Sequence, residues 1–305
     1  MRLLMHQWAS VFCVCCVLLG YKSINQEKLH ARLSPPPQTV TQIALSPVPI
    51  LASQAAPVEI SALAAVALDQ KSGAILYEKN AYKIYAPAST TKLMTALVAR
   101  EVYTPGTILT APALTSVGGS KIGLVMGEQL SLESLLEGAL IPSGNDAAYT
   151  IAFNHPAGLE VFLQLMNKKA QDLHLNSTYF ENPTGFDSSI HRTTAFDLAL
   201  LAREVMKDSL LRSIVRTKQT VVTDLTGKRR HPVVNTNQLL GVDPEVVGVK
   251  TGTTEEAGQV LISQFETPDS AIVIVVLGSV DRYADTRTIR AWIRDSYSWE
   301  RPAVF

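Results

Sequence analysis

The chain has 305 residues, 47% of them hydrophobic, which is enough for a sizeable core and too many for a largely disordered polymer. Lys plus Arg and Asp plus Glu number 27 each, so the basic excess of a nucleic-acid binder is missing. Cys13, Cys15 and Cys16 all fall in one apolar N-terminal run, leaving the rest of the chain without a disulfide framework, a catalytic thiol or a thiolate metal site. The six histidines contain no i, i+4 pair, so no metal site is read, and no organic cofactor is implied.

Behind Arg2, the run from Trp8 to Gly20 has the length of a signal-peptide core and is short for a membrane span. No small-x-small cleavage site follows closely, so residues 1–22 are expected to be a signal or membrane anchor, with an uncleaved anchor preferred. Leu33 to Val58 carries no charge and is punctuated by Pro35, Pro36, Pro37, Pro47, Pro49 and Pro57. Proline at this density blocks helix and ladder formation, so residues 23–58 are expected to form an extended linker, followed by a catalytic domain over 59–300.

Within that domain, Ser61 to Leu68 and Ala74 to Tyr77 are β-prone around the turn Asp69-Gln70-Lys71-Ser72-Gly73, which predicts a hairpin. A helix is predicted from about Ser89 to Glu101, with Leu93, Met94, Leu97 and Val98 on one face and Pro105-Gly106 ending it. Leu130, Leu132, Leu135, Leu136 and Leu140 mark a second helix capped by Ser131. Further helices are predicted over Ala157 to His174, Ala195 to Met206 and Asp285 to Tyr297, with strands at Gln259 to Ser263 and Ala271 to Leu277. Strands at both ends of a helical middle predict a mixed α/β sandwich whose terminal strands share one sheet.

Three short motifs carry the chemistry. In Ser89-Thr90-Thr91-Lys92, residues i and i+3 share a helix face, so an amine can reach the hydroxyl, which needs a nearby base to be a useful nucleophile. The helix start adds unpaired N–H groups for a developing oxyanion. Ser143-Gly144-Asn145 follows the Leu-rich helix, and Lys250-Thr251-Gly252-Thr253 enters an apolar strand, where Gly252 permits close approach. Each alone reads equally well as a cap, a turn or a strand edge. Together, in this order, they form the trio used by penicillin-binding proteins and β-lactamases.

The resemblance extends from about Ala62 to Trp292. Ala86-Pro87-Ala88-Ser89-Thr90-Thr91-Lys92-Leu93-Met94-Thr95, Ser143-Gly144-Asn145-Asp146-Ala147-Ala148, Asn182-Pro183-Thr184-Gly185, Asn235-Thr236-Asn237 and Gly248-Val249-Lys250-Thr251-Gly252-Thr253-Thr254 resemble the low-molecular-mass penicillin-binding D-alanyl-D-alanine carboxypeptidases. That likeness implies a penicilloyl-serine transferase (β-lactamase/transpeptidase-like) fold, an antiparallel sheet flanked by helices plus a helical lobe. It implies Ser89 as acylated nucleophile, Lys92 as its base, Ser143 as proton relay and Asn145 as a positioner of the substrate amide. Lys250 would supply positive potential, Thr251 or Thr253 would bind the terminal carboxylate, and the N–H groups of Ser89 and Thr253 would form the oxyanion hole. The implied substrate is a peptidoglycan stem peptide ending in D-Ala-D-Ala, with β-lactams as acylating mimics. The implied location is the exported, cell-envelope side, with membrane attachment through the N-terminal segment.

One departure from the family is the stretch Asp269-Ser270-Ala271, where many relatives carry a basic residue at the strand start. Carboxylate binding is therefore expected to fall on Lys250 and the threonines. His191, Asp187 and Asp197 could be assembled into a Ser/His/Asp triad, but Ser-x-x-Lys already supplies a base, so Asp197 and His191 are read as packing groups. The rival readings are an endopeptidase on the same site, a class A-like β-lactamase with Glu181 as its acid, and a non-catalytic wall-binding homologue.

Overall fold

The computed structural model describes residues 47–51, 56, 58–114, 116–268 and 270–301. The expected N-terminal anchor lies outside these residues, as does most of the expected linker. In chain order the first elements are β1 (Val48–Leu51), β2 (Ala64–Asp69), β3 (Ile75–Lys79), α1 (Lys92–Val102), β4 (Ile108–Thr110) and β5 (Gln129–Ser131). The helical middle holds α2 (Leu132–Leu140), α3 (Asn145–Phe153), α4 (Leu159–Asp172), α5 (Ala195–Val205) and α6 (Ser209–Arg216). The chain closes with β6 (Gln219–Thr223), β7 (Arg230–Val234), β8 (Val246–Thr254), β9 (Gly258–Glu266), β10 (Ala271–Ser279), α7 (Arg282–Ser296) and β11 (Tyr297–Glu300).

The main sheet has the order β3-β2-β10-β9-β8 and is antiparallel throughout. The predicted hairpin is present. Asp69 Oδ1 accepts from both the backbone N–H and the hydroxyl of Ser72 at 2.7 Å, and Gly73 takes the positive φ of 77° that the turn requires. Early strand β2 pairs with late strand β10, Val66 facing Val275, as the terminal strands were expected to do. Every residue of β2 is buried, because helices cover both faces of the sheet. Ala64, Val66, Leu68, Val273, Val275 and Leu277 join the core on one face, while Ala65, Ala67, Ile272, Ile274 and Val276 meet Ile289 and Ile293 of α7 on the other.

The linker expectation is corrected at its end. Val48–Leu51 forms β1, paired antiparallel with β11 so that Pro49 lies opposite Trp299. Proline removes a ladder donor, but both strands of a two-stranded ribbon are edges, where that loss is tolerated. A strand therefore lies within the stretch read as linker.

Helix α1 is the hub of the helical lobe. It packs on α2, α3, α4 and α5, so Lys92 through Ala99 are all buried, the pattern of a helix covered on all sides. Burying Leu93 and Met94 contributes about 1.5–3 kcal/mol each. Ser131 caps α2 as predicted, accepting from the Ser134 N–H at 3.1 Å. Helix α7 is fastened to the sheet by Asp285. Its carboxylate accepts from Ser61 N (2.8 Å), Ser61 Oγ (2.7 Å), Ala62 N (2.8 Å) and Ser279 Oγ (2.5 Å). Burial pushes the Asp285 carboxyl up, and the hydrogen bonds from Ser279, Ser61 and Ala62 outweigh it, holding the group below its usual range. Its stabilising contribution is therefore present above the unfolded carboxylate range and lost as pH falls through the lowered native value. Asp285→Ala is expected to cost about 3 kcal/mol, read as a lower melting temperature at neutral pH whose difference from the parent shrinks in acid.

Candidate active site

Ala88–Thr91 forms a single 3₁₀ turn leading into α1. Such a turn has three residues per repeat, so positions i and i+3 eclipse, and Lys92 Nζ stands 3.0 Å from Ser89 Oγ. Ala88, just before the serine, is held at φ 48°, a left-handed conformation that costs a non-glycine residue of order 1 kcal/mol. Gly185 explains how that strain is held. Its φ is 92°, and a Cβ there would lie 1.9 Å from the Ala88 carbonyl oxygen, so the 182–186 loop presses directly on the nucleophile turn.

The loop is organised by one side chain. Asn182 Oδ1 accepts from Thr184 N (3.1 Å), Thr184 Oγ1 (2.9 Å), Gly185 N (2.7 Å) and Phe186 N (3.1 Å). That arrangement turns the Thr184 carbonyl onto Lys92, whose Nζ donates to it at 2.6 Å, while Thr95 Oγ1 donates to Pro183 O at 2.7 Å. Lys92 is fully buried. Burial first, and the neighbouring Lys250 ammonium second, push its amine well below the usual lysine range, against the opposing pull of Asp146. A neutral amine can donate one N–H to Thr184 and offer its lone pair to the Ser89 hydroxyl.

The third motif meets the serine turn, and the second sits at the junction of α2 and α3. Ser143 adopts φ 66° in the link between α2 and α3, and Asn145 begins α3 rather than sitting in an ordinary turn. Asn145 Nδ2 donates to Gly118 O at 2.9 Å, and its backbone N–H donates to Ser120 O at 2.7 Å. Asp146 accepts from the N–H groups of Ile122 (3.0 Å), Gly123 (2.9 Å) and Leu124 (3.1 Å), fixing the loop that carries these carbonyls. On β8, a Cβ at Gly252 would lie 3.0 Å from Ser89 N, so only glycine lets the strand come this close to the serine. Lys250 is buried, donates to Thr251 O at 3.0 Å, and is pushed down to about 7 by burial first and then by Arg282. Thr251 Oγ1 lies 2.6 Å from Thr236 Oγ1, and the exposed Thr253 donates to Gly252 O at 2.8 Å.

Arg282 corrects the expected shortage of positive charge. No basic residue begins β10, but the first residue of α7 places a guanidinium at the site, donating to Gly252 O (2.7 Å) and Val260 O (3.1 Å). The β9–β10 register accounts for this. Ala271 pairs with Glu266 at one end of the sheet, whereas Ser279 pairs with Gln259, which lies opposite Thr253. The chain therefore returns to the motif at the end of β10, and the sequence signal is the capped helix start Asp281-Arg282.

No histidine triad forms at the serine. His191 Nδ1 accepts from Glu181 N at 3.0 Å, which leaves the proton on Nε2 to be donated to Thr91 Oγ1 at 2.8 Å. Burial pushes this imidazole down to about 4 despite the Asp187 carboxylate. Asp187 accepts from Thr254 Oγ1 and Glu256 N, and Asp197 from Ser177 N and Thr178 Oγ1, so each of the three is engaged in holding loops together. Tyr77 and Tyr82 likewise pack against Trp292 and Phe196.

The description of D-alanyl-D-alanine carboxypeptidases matches residues 51–281. The chain belongs to that family. Among its relatives, D-alanyl-D-alanine carboxypeptidase DacF of Bacillus subtilis (strain 168) is 37% identical over 224 residues, covering 72% of this chain and 57% of that protein. A D-alanyl-D-alanine endopeptidase of Pseudomonas aeruginosa is 31% identical, covering 81% of each chain. The crystal structure of the Streptomyces K15 DD-transpeptidase superposes with a TM-score of 0.74 at 28% identity, covering 79% of this chain and 99% of that one. The penicilloyl-serine transferase fold is thereby shared. The chain spans 57% of DacF and 65% of DacD of Escherichia coli (strain K12), the first two curated relatives it matches.

This family member carries a stability cost that Lys250 makes measurable. Between pH 7 and the ordinary lysine range, the unfolded chain holds a proton on Lys250 that the folded chain lacks, so folding stability rises with pH across that window. Lys250→Met removes the dependence. The variant is expected to be more stable than the parent near pH 7, with the difference shrinking by about 1.4 kcal/mol per pH unit as pH rises, measured by denaturant titrations across the range.

Proposed function

We propose that the chain is a serine-type D-Ala-D-Ala carboxypeptidase that removes the last D-alanine from peptidoglycan stem peptides. The observation that carries this reading is the buried Lys92 amine, 3.0 Å from Ser89 Oγ and oriented by the Thr184 carbonyl. In the proposed reaction, Ser89 Oγ attacks the carbonyl carbon of the penultimate D-alanine and its proton passes to Lys92. The amides of Ser89 and Thr253 hold the oxyanion. The C–N bond then breaks, the leaving amine takes a proton from Lys92 through Ser143 Oγ, and water hydrolyses the ester on Ser89. Asn145 orients the substrate amide. Lys250, Thr251, Thr253 and Arg282 form the electropositive end that receives the substrate carboxylate, Gly252 leaving room beside it.

The expected place of action is the cell envelope, with the apolar run behind Arg2 as signal or anchor. β-Lactams would acylate Ser89 and leave slowly, because the group beside Lys92 is a carbonyl rather than a carboxylate, and Glu181 is exposed. Cleavage of peptide cross-links on the same site is the second reading, favoured by the match to most of the Pseudomonas aeruginosa endopeptidase; free D-alanine from monomeric peptides against opened cross-links from dimeric ones separates the two.

Labelled penicillin is expected to attach to the parent protein and not to Ser89→Ala, as judged by intact mass, while Lys92→Arg slows acylation by about a thousandfold. Attachment to Ser89→Ala would defeat the assignment. Arg282→Leu is expected to raise KM about tenfold for peptides with a free terminal carboxylate and to leave carboxamide-terminated analogues little changed, read as D-alanine or D-alaninamide release.

A further inference from the structure

Residues 116–129 and 223–236 bring Lys121, Lys228, Arg229 and Arg230 together with two acids, Glu128 and Asp224, in a chain whose formal charge is balanced overall. Both acids are already engaged. Glu128 is buried, with Oε1 2.6 Å from His231 Nε2 and Oε2 accepting from Val125 N at 3.1 Å. Asp224 accepts from Thr226 Oγ1 at 2.7 Å and Arg229 N at 3.0 Å. The four cations are exposed, and among the described residues none of them forms an ion pair.

The two segments are joined into one surface. Leu225 N donates to Gln129 O at 2.8 Å, and His231 Nδ1 donates to Ile122 O at 3.0 Å. Lys121 therefore adjoins the carbonyl that holds His231, and Arg230 adjoins His231 itself. Lys121 also follows Ser120, whose carbonyl holds the backbone of Asn145. A ligand laid across Asn145 that extended outward over this loop would meet Lys121 and then the hairpin tip at Lys228–Arg230.

We infer that Lys121, Lys228, Arg229 and Arg230 form an accessory site for the carboxylates of a polymeric wall substrate, beyond the two residues that undergo chemistry. The inference rests on the proposed peptidase reading and names the substrate that site prefers: a polyanionic, carboxylate-bearing polymer over a short peptide. Exposed cations facing an anionic polymer raise its local concentration and its capture rate, and salt weakens the effect.

The test compares a soluble wall polymer bearing D-Ala-D-Ala stems and free carboxylates with a short D-Ala-D-Ala peptide whose only carboxylate is terminal. In the triple variant Lys228→Gln/Arg229→Gln/Arg230→Gln, kcat/KM on the polymer is expected to fall about tenfold relative to that on the short peptide, through KM. In the unmodified protein, added salt and amidation of the polymer's non-terminal carboxylates each reduce the polymer's advantage. Equal changes on both substrates, or an advantage that survives amidation, overturn the inference. Binding to anionic lipid vesicles without any polymer preference overturns it in favour of a membrane. Should neither substrate release D-alanine, the functional reading fails on its own, and co-sedimentation of the carboxylated polymer with parent and triple variant still decides the accessory site.

Discussion

A lysine amine buried in the protein core, its proton affinity driven well below the usual range, is the constraint on which the rest of this structure depends. In its proposed role Lys92 can act as a base only while it is kept from water, and it stays ordered only while something accepts its N–H. The helical lobe meets the first condition by surrounding α1 with four helices, and the Thr184 carbonyl meets the second. Both conditions oppose stability: a buried amine favours the unfolded chain, where it can hold its proton, and the left-handed Ala88 adds backbone strain. The two-sided sheet core and the four-fold grip of Asp285 on the sheet end supply what those features take away.

Positive charge around the serine is arranged as a gradient. Arg282 lowers Lys250, and Lys250 in turn lowers Lys92. The guanidinium thus sits at Gly252, and the lowered Lys92 amine sits at the serine. On the proposed reading the same residues would serve substrate attraction and base activation, since every charge that draws a carboxylate also discourages protonation of Lys92.

Much of this was legible from sequence where the signal was local. The Ser89–Lys92 spacing, the Ser131 cap, the Asp69–Gly73 turn and the pairing of early with late strands followed from periodicity and turn chemistry. The misses were non-local. Arg282 is thirty-two residues beyond Lys250 in the sequence, and only the strand register brings the end of β10 beside the motif. β1 was hidden because Pro49 argues against a strand, and the partner that makes it one lies at the other end of the chain. Asn182 is the local exception: the resemblance picked out its motif, but its four acceptances within its own loop show only in the structure.

The contact between Gly185 and Ala88 also bears on how ligands enter. With no room for a β-carbon between them, loop and serine turn are effectively one body, and nothing at their junction can serve as a hinge. The walls around the serine therefore have little freedom to close on a guest or reshape themselves for a poor one. A ligand already rigid in the shape this wall accepts would then enter without the ordering cost that a flexible peptide bears.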